Sequence, residues 1–302
     1  MPTKALSIKA PRRENKDALL FLAPFLVGFL AFNLFPVLYT FVLSFLNFNN
    51  LEGNHAFEFL GLQNYIDILG DEKALFSYLR TMGFSVVFVV GVNGFGLLFA
   101  LLLNQKFYGK KFTTTLYLIP YVSNVVAIVM VWTALLDPYQ GPINGFLQFL
   151  GIENPPMWLG DPSLSLVISA LVAVYLNIAF QIIVLLAALQ EVPKEMYEAA
   201  EIEGVPAPLV FFRITIPFIS PTIVFLTITS MIESFQNFTL IKLITNGGPG
   251  TSSTTASMNI FNEAFKYSHF SYSASQAVIL FFILFALTIL QWKIEQKGSM
   301  YA

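Results

Sequence analysis

Residues 164–189 read LSLVISALVAVYLNIAFQIIVLLAAL, and residues 191–217 continue as EVPKEMYEAAEIEGVPAPLVFFRITIP. The first stretch contains no charged residue and is longer than the roughly 20 apolar residues that a helix needs to cross a bilayer. The second stretch is rich in glutamate and proline, so it cannot continue the same apolar helix. Together they predict a membrane-spanning helix followed by a charged loop.

The composition of the whole chain also indicates a membrane protein. Of its 302 residues, 56% are hydrophobic and only 11% are charged, whereas soluble domains carry about 25% charged residues. The formal net charge of −2 excludes the basic surface that nucleic-acid binding requires. The sequence has no cysteine, which excludes disulfides, thiolate metal sites and thiol catalysis.

Long apolar stretches predict an all-α integral membrane protein with six transmembrane helices. We expect a cytoplasmic segment, residues 1–17, and one transmembrane domain, residues 18–302. The first span is too long for a signal-peptide core, so we expect it to be retained. Gly91, Gly94 and Gly96 in the second span predict close packing between helices. The predicted spans are residues 18–45, 80–104, 113–136, 164–189, 216–243 and 273–292.

The distribution of Lys and Arg predicts the orientation of these spans, because cytoplasmic segments carry an excess of both. With the N-terminus inside, the external cations are Lys73, Arg80, Lys242 and Lys266. The cytoplasmic cations are then Lys4, Lys9, Arg12, Arg13, Lys16, Lys106, Lys110, Lys111, Lys194, Arg213, Lys293 and Lys297. We therefore expect a multi-pass protein of the cell inner membrane with both termini in the cytoplasm.

The cytoplasmic loop 191–217, between the fourth and fifth spans, has the pattern of two short helices joined by a turn. Pro193 suits the first turn of a helix, and the residues after it are mostly strong helix formers. Gly204 is a natural C-terminal cap. Pro206 and Pro208 stop the first helix and begin the second. We expect a small helical bracket beneath the membrane.

The first helix of this loop combines small apolar residues with glutamates, which suits docking into a groove on a partner protein. Its apolar side carries Met196, Ala199, Ala200 and Ile202, and its other positions carry Glu195, Glu198, Glu201 and Glu203. The alternative is an amphipathic helix lying on the bilayer. Such helices are usually rich in Lys and Arg, whereas this one is acidic, so the pattern favours docking.

This loop resembles the EAA loop of ABC importer permeases, whose pattern is E-A-A, three residues, G, nine residues, I, one residue, L-P. Ile216 replaces Leu, and the matching positions are Glu198, Ala199, Ala200, Gly204, Ile214 and Pro217. Three external segments resemble motifs of the carbohydrate-uptake branch, which includes maltose and glycerol-phosphate permeases. They are residues 59–65 (FLGLQNY), 141–144 (GPIN) with Trp158 and Leu159, and 245–249 (TNGGP).

The resemblance implies a heterodimer of two permeases, two copies of an ATP-binding subunit and an extracytoplasmic solute-binding protein that delivers a carbohydrate. The chain lacks G-x-x-x-x-G-K-[ST], so ATP hydrolysis belongs to a separate subunit, and this chain is neither an enzyme nor the holder of a cofactor. The resemblance implies that the ATPase-coupling residues are Glu198, Ala199, Ala200, Glu203, Gly204, Ile214 and Pro217.

Polar residues within the predicted spans are candidates for the solute path, because such residues are costly in lipid unless they face the bundle or a wet cavity. Ser230, Ser234 and Asn237 share one helix face, and Asn177 and Gln181 share another. The resemblance to maltose permeases implies a solute path at several of these positions. The alternative is that they bridge packed helices without touching solute. The candidates are Tyr121, Asn177, Phe180, Gln181, Ser230, Glu233, Ser234 and Asn237.

Two other classes of protein are alternatives. An ion-coupled secondary transporter could use Glu233 as its coupling carboxylate, because an intramembrane acid is a candidate proton relay. A membrane-embedded enzyme would need paired catalytic carboxylates near His or an H-E-x-x-H motif, and the sequence has neither. His55 and His269 lack metal-ligand spacing, so we expect no metal site.

Overall fold

The protein is described here by a computed structural model that covers residues 12–48, 58–105 and 108–299. Residues 1–11 of the predicted cytoplasmic segment and residues 300–302 lie outside it. The helices are α1 (Arg12–Phe29), α2 (Phe35–Leu43), α3 (Gln63–Gly70), α4 (Glu72–Asn104), α5 (Lys110–Val122), α6 (Val125–Leu135), α7 (Pro142–Phe149), α8 (Ser165–Glu191), α9 (Lys194–Ile202), α10 (Ala207–Val210), α11 (Ile216–Gln236), α12 (Thr239–Ile244), α13 (Ala256–Phe261) and α14 (Phe270–Ser299).

Short elements complete the described fold. Single π-helical turns at Leu30–Leu34 and Phe211–Thr215 join α1 to α2 and α10 to α11, and a third, Asn262–Lys266, follows α13. Two short strands, β1 (Leu46–Asn47) and β2 (Glu58–Phe59), pair antiparallel. The architecture is therefore almost entirely helical, as the sequence predicts.

Five helical runs in the described residues are long and apolar enough to cross a membrane, and a sixth span results if the bent pair α5–α6 is counted as one. The runs are Leu20–Leu43, Glu72–Asn104, Ser165–Glu191, Ala207–Gln236 and Phe270–Lys293. This confirms a helical membrane protein with five or six candidate spans. The ends of these runs differ from the predicted span boundaries by up to nine residues. The second span, predicted to begin at residue 80, begins at residue 72, and the fifth, predicted to cover 216–243, covers 207–236.

The predicted third span, residues 113–136, is not one straight helix. The axes of α5 and α6 differ by 101° at a break formed by Ser123 and Asn124. Ser123 has extended backbone angles, and Asn124 Oδ1 accepts a hydrogen bond of 2.8 Å from the Val126 amide, which caps α6. Pro120 removes one backbone donor from the last turn of α5. Local capping chemistry therefore divides the apolar stretch.

The predicted fifth span also ends earlier than its hydropathy indicates. α11 stops at Gln236, Asn237 leaves the helical region with ψ 84°, and the separate helix α12 begins at Thr239. Non-helical backbone at membrane depth is tolerated where it lines a cavity or is buried in protein. This break is therefore a reason to look for a cavity beside it.

Two glycines allow α4 and α8 to pack closely at the centre of the bundle. A Cβ atom added at Gly96 would lie 2.7 Å from Cβ of Gln181, and one added at Gly91 would lie 2.8 Å from Cγ2 of Val174. A Cβ atom at Gly94 would meet nothing within 4 Å. The predicted close packing is therefore present at two of the three glycines.

The segments that resemble carbohydrate-permease motifs contain buried polar anchors. Asn144, 2% exposed, donates to the carbonyls of Pro138 and Pro156 and accepts a 2.6 Å hydrogen bond from Trp158 Nε1. Asn64 donates in the same way to two carbonyls that follow α2. These side chains donate to backbone carbonyls of the neighbouring segments. Their role in this chain is to fix the loops.

Candidate functional site

The loop 191–217 forms two helices joined by a tight turn. α9 ends in a Schellman motif, in which the Gly204 amide donates to the Glu201 carbonyl at 3.1 Å and the Val205 amide donates to the Ala200 carbonyl at 2.9 Å. Gly204 has φ +69°, a left-handed conformation that strains residues with a Cβ atom. Glycine at this position sets the angle at which the second helix, α10, leaves the turn.

Side-chain contacts fix α9 against the base of α11. The Tyr197 hydroxyl lies 3.1 Å from Oγ1 of Thr215, in the π-helical turn that leads into α11. Ala200 is only 6% exposed, so the backbone of α9 approaches its neighbours closely at this point. A packed contact and a hydrogen bond therefore join α9 to a candidate span.

A groove of about 510 Å³ lies between α9 and the chain that follows it. Of the predicted coupling residues, Ala199, Ala200, Glu203 and Ile214 line it. Glu198 lies exposed on α9, Gly204 forms the turn, and Pro217 lies exposed in the first turn of α11. The far side of α9 carries Ile202, which is 87% exposed. The structure thus gathers the predicted residues around one outward-facing bracket.

A second, polar cavity of about 410 Å³ lies beside the two helix breaks described above. Tyr121 reaches it from α5, Asn177 from α8, and Glu233 and Asn237 from the end of α11. Pro120 and Val125, on either side of the α5–α6 break, also line it. Broken helices that meet at a shared cavity are the arrangement in which membrane proteins place solute sites.

Several polar side chains lie together at the end of α11. Within the described residues, the side chains of Glu233, Gln236, Asn237 and Thr239 make no hydrogen bond or ion pair. Glu233, Gln236 and Thr239 are exposed on this chain, so they are available to water, solute or another subunit. The arrangement presents a carboxylate, two amides and a hydroxyl together.

The remaining predicted path residues do not line this cavity. Ser230 accepts a 2.9 Å hydrogen bond from Asn93 Nδ2, and Ser234 donates to Ser85 Oγ at 2.6 Å, so both join α11 to α4. Gln181 is 1% exposed, and its Cβ packs against Gly96. In this conformation these three residues occupy helix contacts, which is the alternative that the sequence leaves open.

Phe180 lies behind the cavity wall. Its ring is stacked on that of Tyr121, with centroids 6.4 Å apart and planes 20° from parallel. Because Tyr121 lines the cavity and Phe180 supports it, the two rings form one aromatic wall. Aromatic faces beside hydrogen-bonding groups are suited to binding a sugar ring.

Gln236 and Thr239 line the cavity but are not among the candidates from sequence. On an unbroken helix they would lie on different faces from Asn237. The break after Gln236 changes this relation and brings all three to the same cavity. The signal that could have located them is the local density of polar residues just before the turn at residues 245–249.

No cluster of three or more His, Asp or Glu side chains in the described part of the chain could hold a metal ion. His269 instead pairs with Glu263, with Nδ1 and Oε2 2.8 Å apart, and His55 lies outside the described residues.

Asp161, in the loop before α8, has its carboxylate pKa lowered by hydrogen bonds from the Ser163 hydroxyl and amide.

Comparison with known proteins gives a consistent family. Residues 92–297 match the family described as the binding-protein-dependent transport system inner membrane component. The trehalose/maltose transport system permease protein MalF of Thermococcus litoralis is 30% identical over 293 residues, 96% of this chain and 97% of that protein. The sn-glycerol-3-phosphate transport system permease protein UgpA of Agrobacterium fabrum is 32% identical over 244 residues, 80% and 83% of the two chains.

The fold agrees with this relationship. A chain in the crystal structure of a bacterial alginate ABC transporter, in complex with an alginate pentasaccharide-bound periplasmic protein, superposes with a TM-score of 0.83. The match is 19% identical and covers 95% of this chain and 97% of that one. None of these similarities supports an ion-coupled secondary transporter that uses Glu233. The chain therefore belongs to the family of binding-protein-dependent transport system inner membrane components, the permease subunits of ABC importers.

Proposed function

We propose that this chain forms half of the translocation path of an ATP-driven carbohydrate importer and transmits the motion of a separate ATPase to that path. The observation that carries the proposal is the bracket α9–α10, with its outward glutamates and its fixed connection to α11. The match to permease relatives, among them one for trehalose and maltose, supports the carbohydrate class. The distribution of Lys and Arg supports placing the bracket and both termini in the cytoplasm.

The partners in this proposal are a second permease, two ATP-binding subunits and an extracytoplasmic solute-binding protein. In a family of binding-protein-dependent systems, each partner supplies a part that this chain lacks: the other half of the path, a phosphate-binding loop, and a delivery protein. Glu198, Glu203 and the groove beside them provide the contact with the ATPase. The polar cavity at the end of α11 provides the contact with solute.

The coupling works as a rigid-body switch in this account. An ATPase that changes shape when it binds ATP makes different contacts with α9 in its two states, and only such a difference can move a conformational equilibrium. The Tyr197–Thr215 contact carries the displacement to α11. The carboxyl end of α11 lines the solute cavity, so one helix links the two sites.

Co-purification of the importer with its ATPase tests the proposal. Glu198→Lys reverses a charge on the docking face, and Gly204→Pro imposes a φ near −65° where the turn needs +69°. Both variants should lose the ATPase subunit and abolish uptake. Glu153→Lys is the matched control, because it makes the same charge reversal on an exposed residue of the loop before α8. If both loop variants retain ATPase binding and transport, the proposed coupling is wrong.

A further inference from the structure

The family of this chain does not determine the charge of its solute. One relative is named for trehalose and maltose, which are uncharged, and another for sn-glycerol 3-phosphate, which is an anion. The charge of the solute must therefore be inferred from the charged groups around the cavity at the end of α11. The following inference rests on the proposed function, because it takes this cavity to be the solute path.

The only charged side chain that lines the cavity, among the described residues, is that of Glu233. Its carboxylate has no hydrogen bond or ion pair with the described part of the chain, so no protein cation neutralises it there. The other polar groups in the lining, including Gln236, Asn237 and Thr239, are neutral. When Glu233 is ionised, the field that this chain contributes to the cavity is therefore negative.

The nearest cation in sequence to this lining is Lys242, on α12. It does not line the cavity, and its Nζ lies 5.7 Å from the centroid of the Phe261 ring, in a cation–π contact. Arg213 lies at the other end of the α10–α11 run, in the groove between α9 and α10. Neither side chain therefore belongs to the lining that an anion in the cavity would contact.

We infer that this chain's side of the cavity favours uncharged carbohydrates over anionic ones, such as sugar phosphates and uronates, and that Glu233 is the residue that sets this preference. A free carboxylate can accept hydrogen bonds from two neighbouring hydroxyls of a sugar, and the amides of Gln236 and Asn237 can both donate and accept. An anionic group in the same place would meet a like charge and no Arg or Lys fork, the usual partner of such groups.

The electrostatic repulsion between Glu233 and an anionic solute is large enough to decide selectivity. For two like charges about 6–10 Å apart at an effective dielectric constant of about 20, the repulsion corresponds to roughly a 15- to 100-fold preference against the anion. A phosphate monoester, with more than one negative charge, would be rejected more strongly. Replacing the carboxylate by an amide of the same shape should remove most of this preference.

The absence of cysteine from the chain allows the field to be measured without knowing the solute. In the assembled importer, a single Thr239→Cys substitution places a unique thiol of this chain in the cavity lining. Its rate of modification by anionic 2-sulfonatoethyl methanethiosulfonate is compared with that by neutral 2-hydroxyethyl methanethiosulfonate. The same ratio for 2-mercaptoethanol in solution corrects for the intrinsic reactivity of the two reagents.

We expect the corrected ratio to disfavour the anionic reagent by about 10- to 100-fold and to return to within about threefold of unity when Glu233→Gln is added. Glu153→Gln, in an exposed loop that does not line the cavity, is the matched control and should leave the ratio unchanged. Asn237→Asp, which adds a second carboxylate to the lining, should disfavour the anion further. A ratio near unity in the Thr239→Cys protein, or one insensitive to Glu233→Gln, overturns the inference.

This outcome is separable from failure of the proposed function. A labelling ratio near unity would overturn the inference about the cavity and would leave the expected loss of ATPase binding in Glu198→Lys and Gly204→Pro untouched. Retention of the ATPase by those two variants would instead overturn the proposed coupling and would leave the labelling ratio untouched.

Discussion

The turn at Gly204 allows the strength of the coupling to be predicted from backbone geometry. The residue has φ +69°, and a Cβ atom built on it would meet nothing within 4 Å. Gly204→Ala therefore costs only the backbone strain of the left-handed conformation, about 1–2 kcal/mol. This strain reduces the population of the observed turn by roughly 5- to 30-fold relative to conformations in which α10 leaves at another angle.

If the ATPase docks only on the observed turn, its apparent affinity falls in proportion to the fraction of molecules that hold this turn, which is at most the factor given for the ratio. Gly204→Ala should therefore weaken binding by up to about 5- to 30-fold, measured by titrating the purified ATPase subunit against the permease pair in nanodiscs. Gly204→Asn is the matched control, because Asn tolerates the left-handed region better than Ala and should weaken binding less. Unchanged affinity for Gly204→Ala, or equal losses for both variants, would refute this reasoning.

Three further predictions concern the helices and loops that position the two sites. Gly96→Ala should lower the free energy of unfolding by about 1–3 kcal/mol, because the added methyl lies 2.7 Å from Gln181 Cβ. Gly94→Ala, whose added methyl meets nothing within 4 Å, should be neutral or stabilising. Denaturant titration of the importer distinguishes the two variants. Tyr197→Phe should cost about 0.5–1.5 kcal/mol at the α9–α11 contact and reduce ATP-driven uptake more than ATPase binding; equal losses would contradict the proposed transmission. Asn144→Ala leaves two partly buried carbonyls and an indole N–H without this partner. It should cost about 1–3 kcal/mol in total, so protease cleavage of its loop should accelerate while the α9–α10 loop stays protected.

Much of the architecture follows from hydropathy and a few special residues. The uncharged stretch at residues 164–189 becomes the span Ser165–Glu191, because a run of apolar residues has only one stable form in lipid. Gly204 and the prolines around it correctly predict two helices and a turn. Here the sequence determines structure locally, within one or two turns of chain.

The parts that hydropathy predicts less well depend on polar capping within apolar stretches. Asn124 caps α6 in the middle of the expected third span, and the departure of Asn237 from helical geometry ends the fifth span before its apolar pattern does. A window average of hydropathy cannot detect either event. Because both breaks border the polar cavity, the features that are missed are the ones that form the candidate solute site.

The candidate path residues show the same limitation. A serine that faces a solute and a serine that bridges two helices have the same sequence signal, and the partner across the interface decides between them. Ser234 has Ser85 as its partner on α4, whereas Glu233 has none among the described residues. Which side chains remain unpaired is a property of the packed bundle, so it could not be read from the order of residues.

In the proposed importer, the bracket formed by α9 and α10 lies in the cytoplasm and is covered by the ATPase. Since the chain has no cysteine, Ile202→Cys places one thiol at an 87% exposed position of α9. Labelling of this thiol by a membrane-impermeant maleimide in inside-out vesicles should be rapid without the ATPase subunit and slow with it. Labelling from the outside of intact cells, or a rate unaffected by the ATPase, would contradict the account.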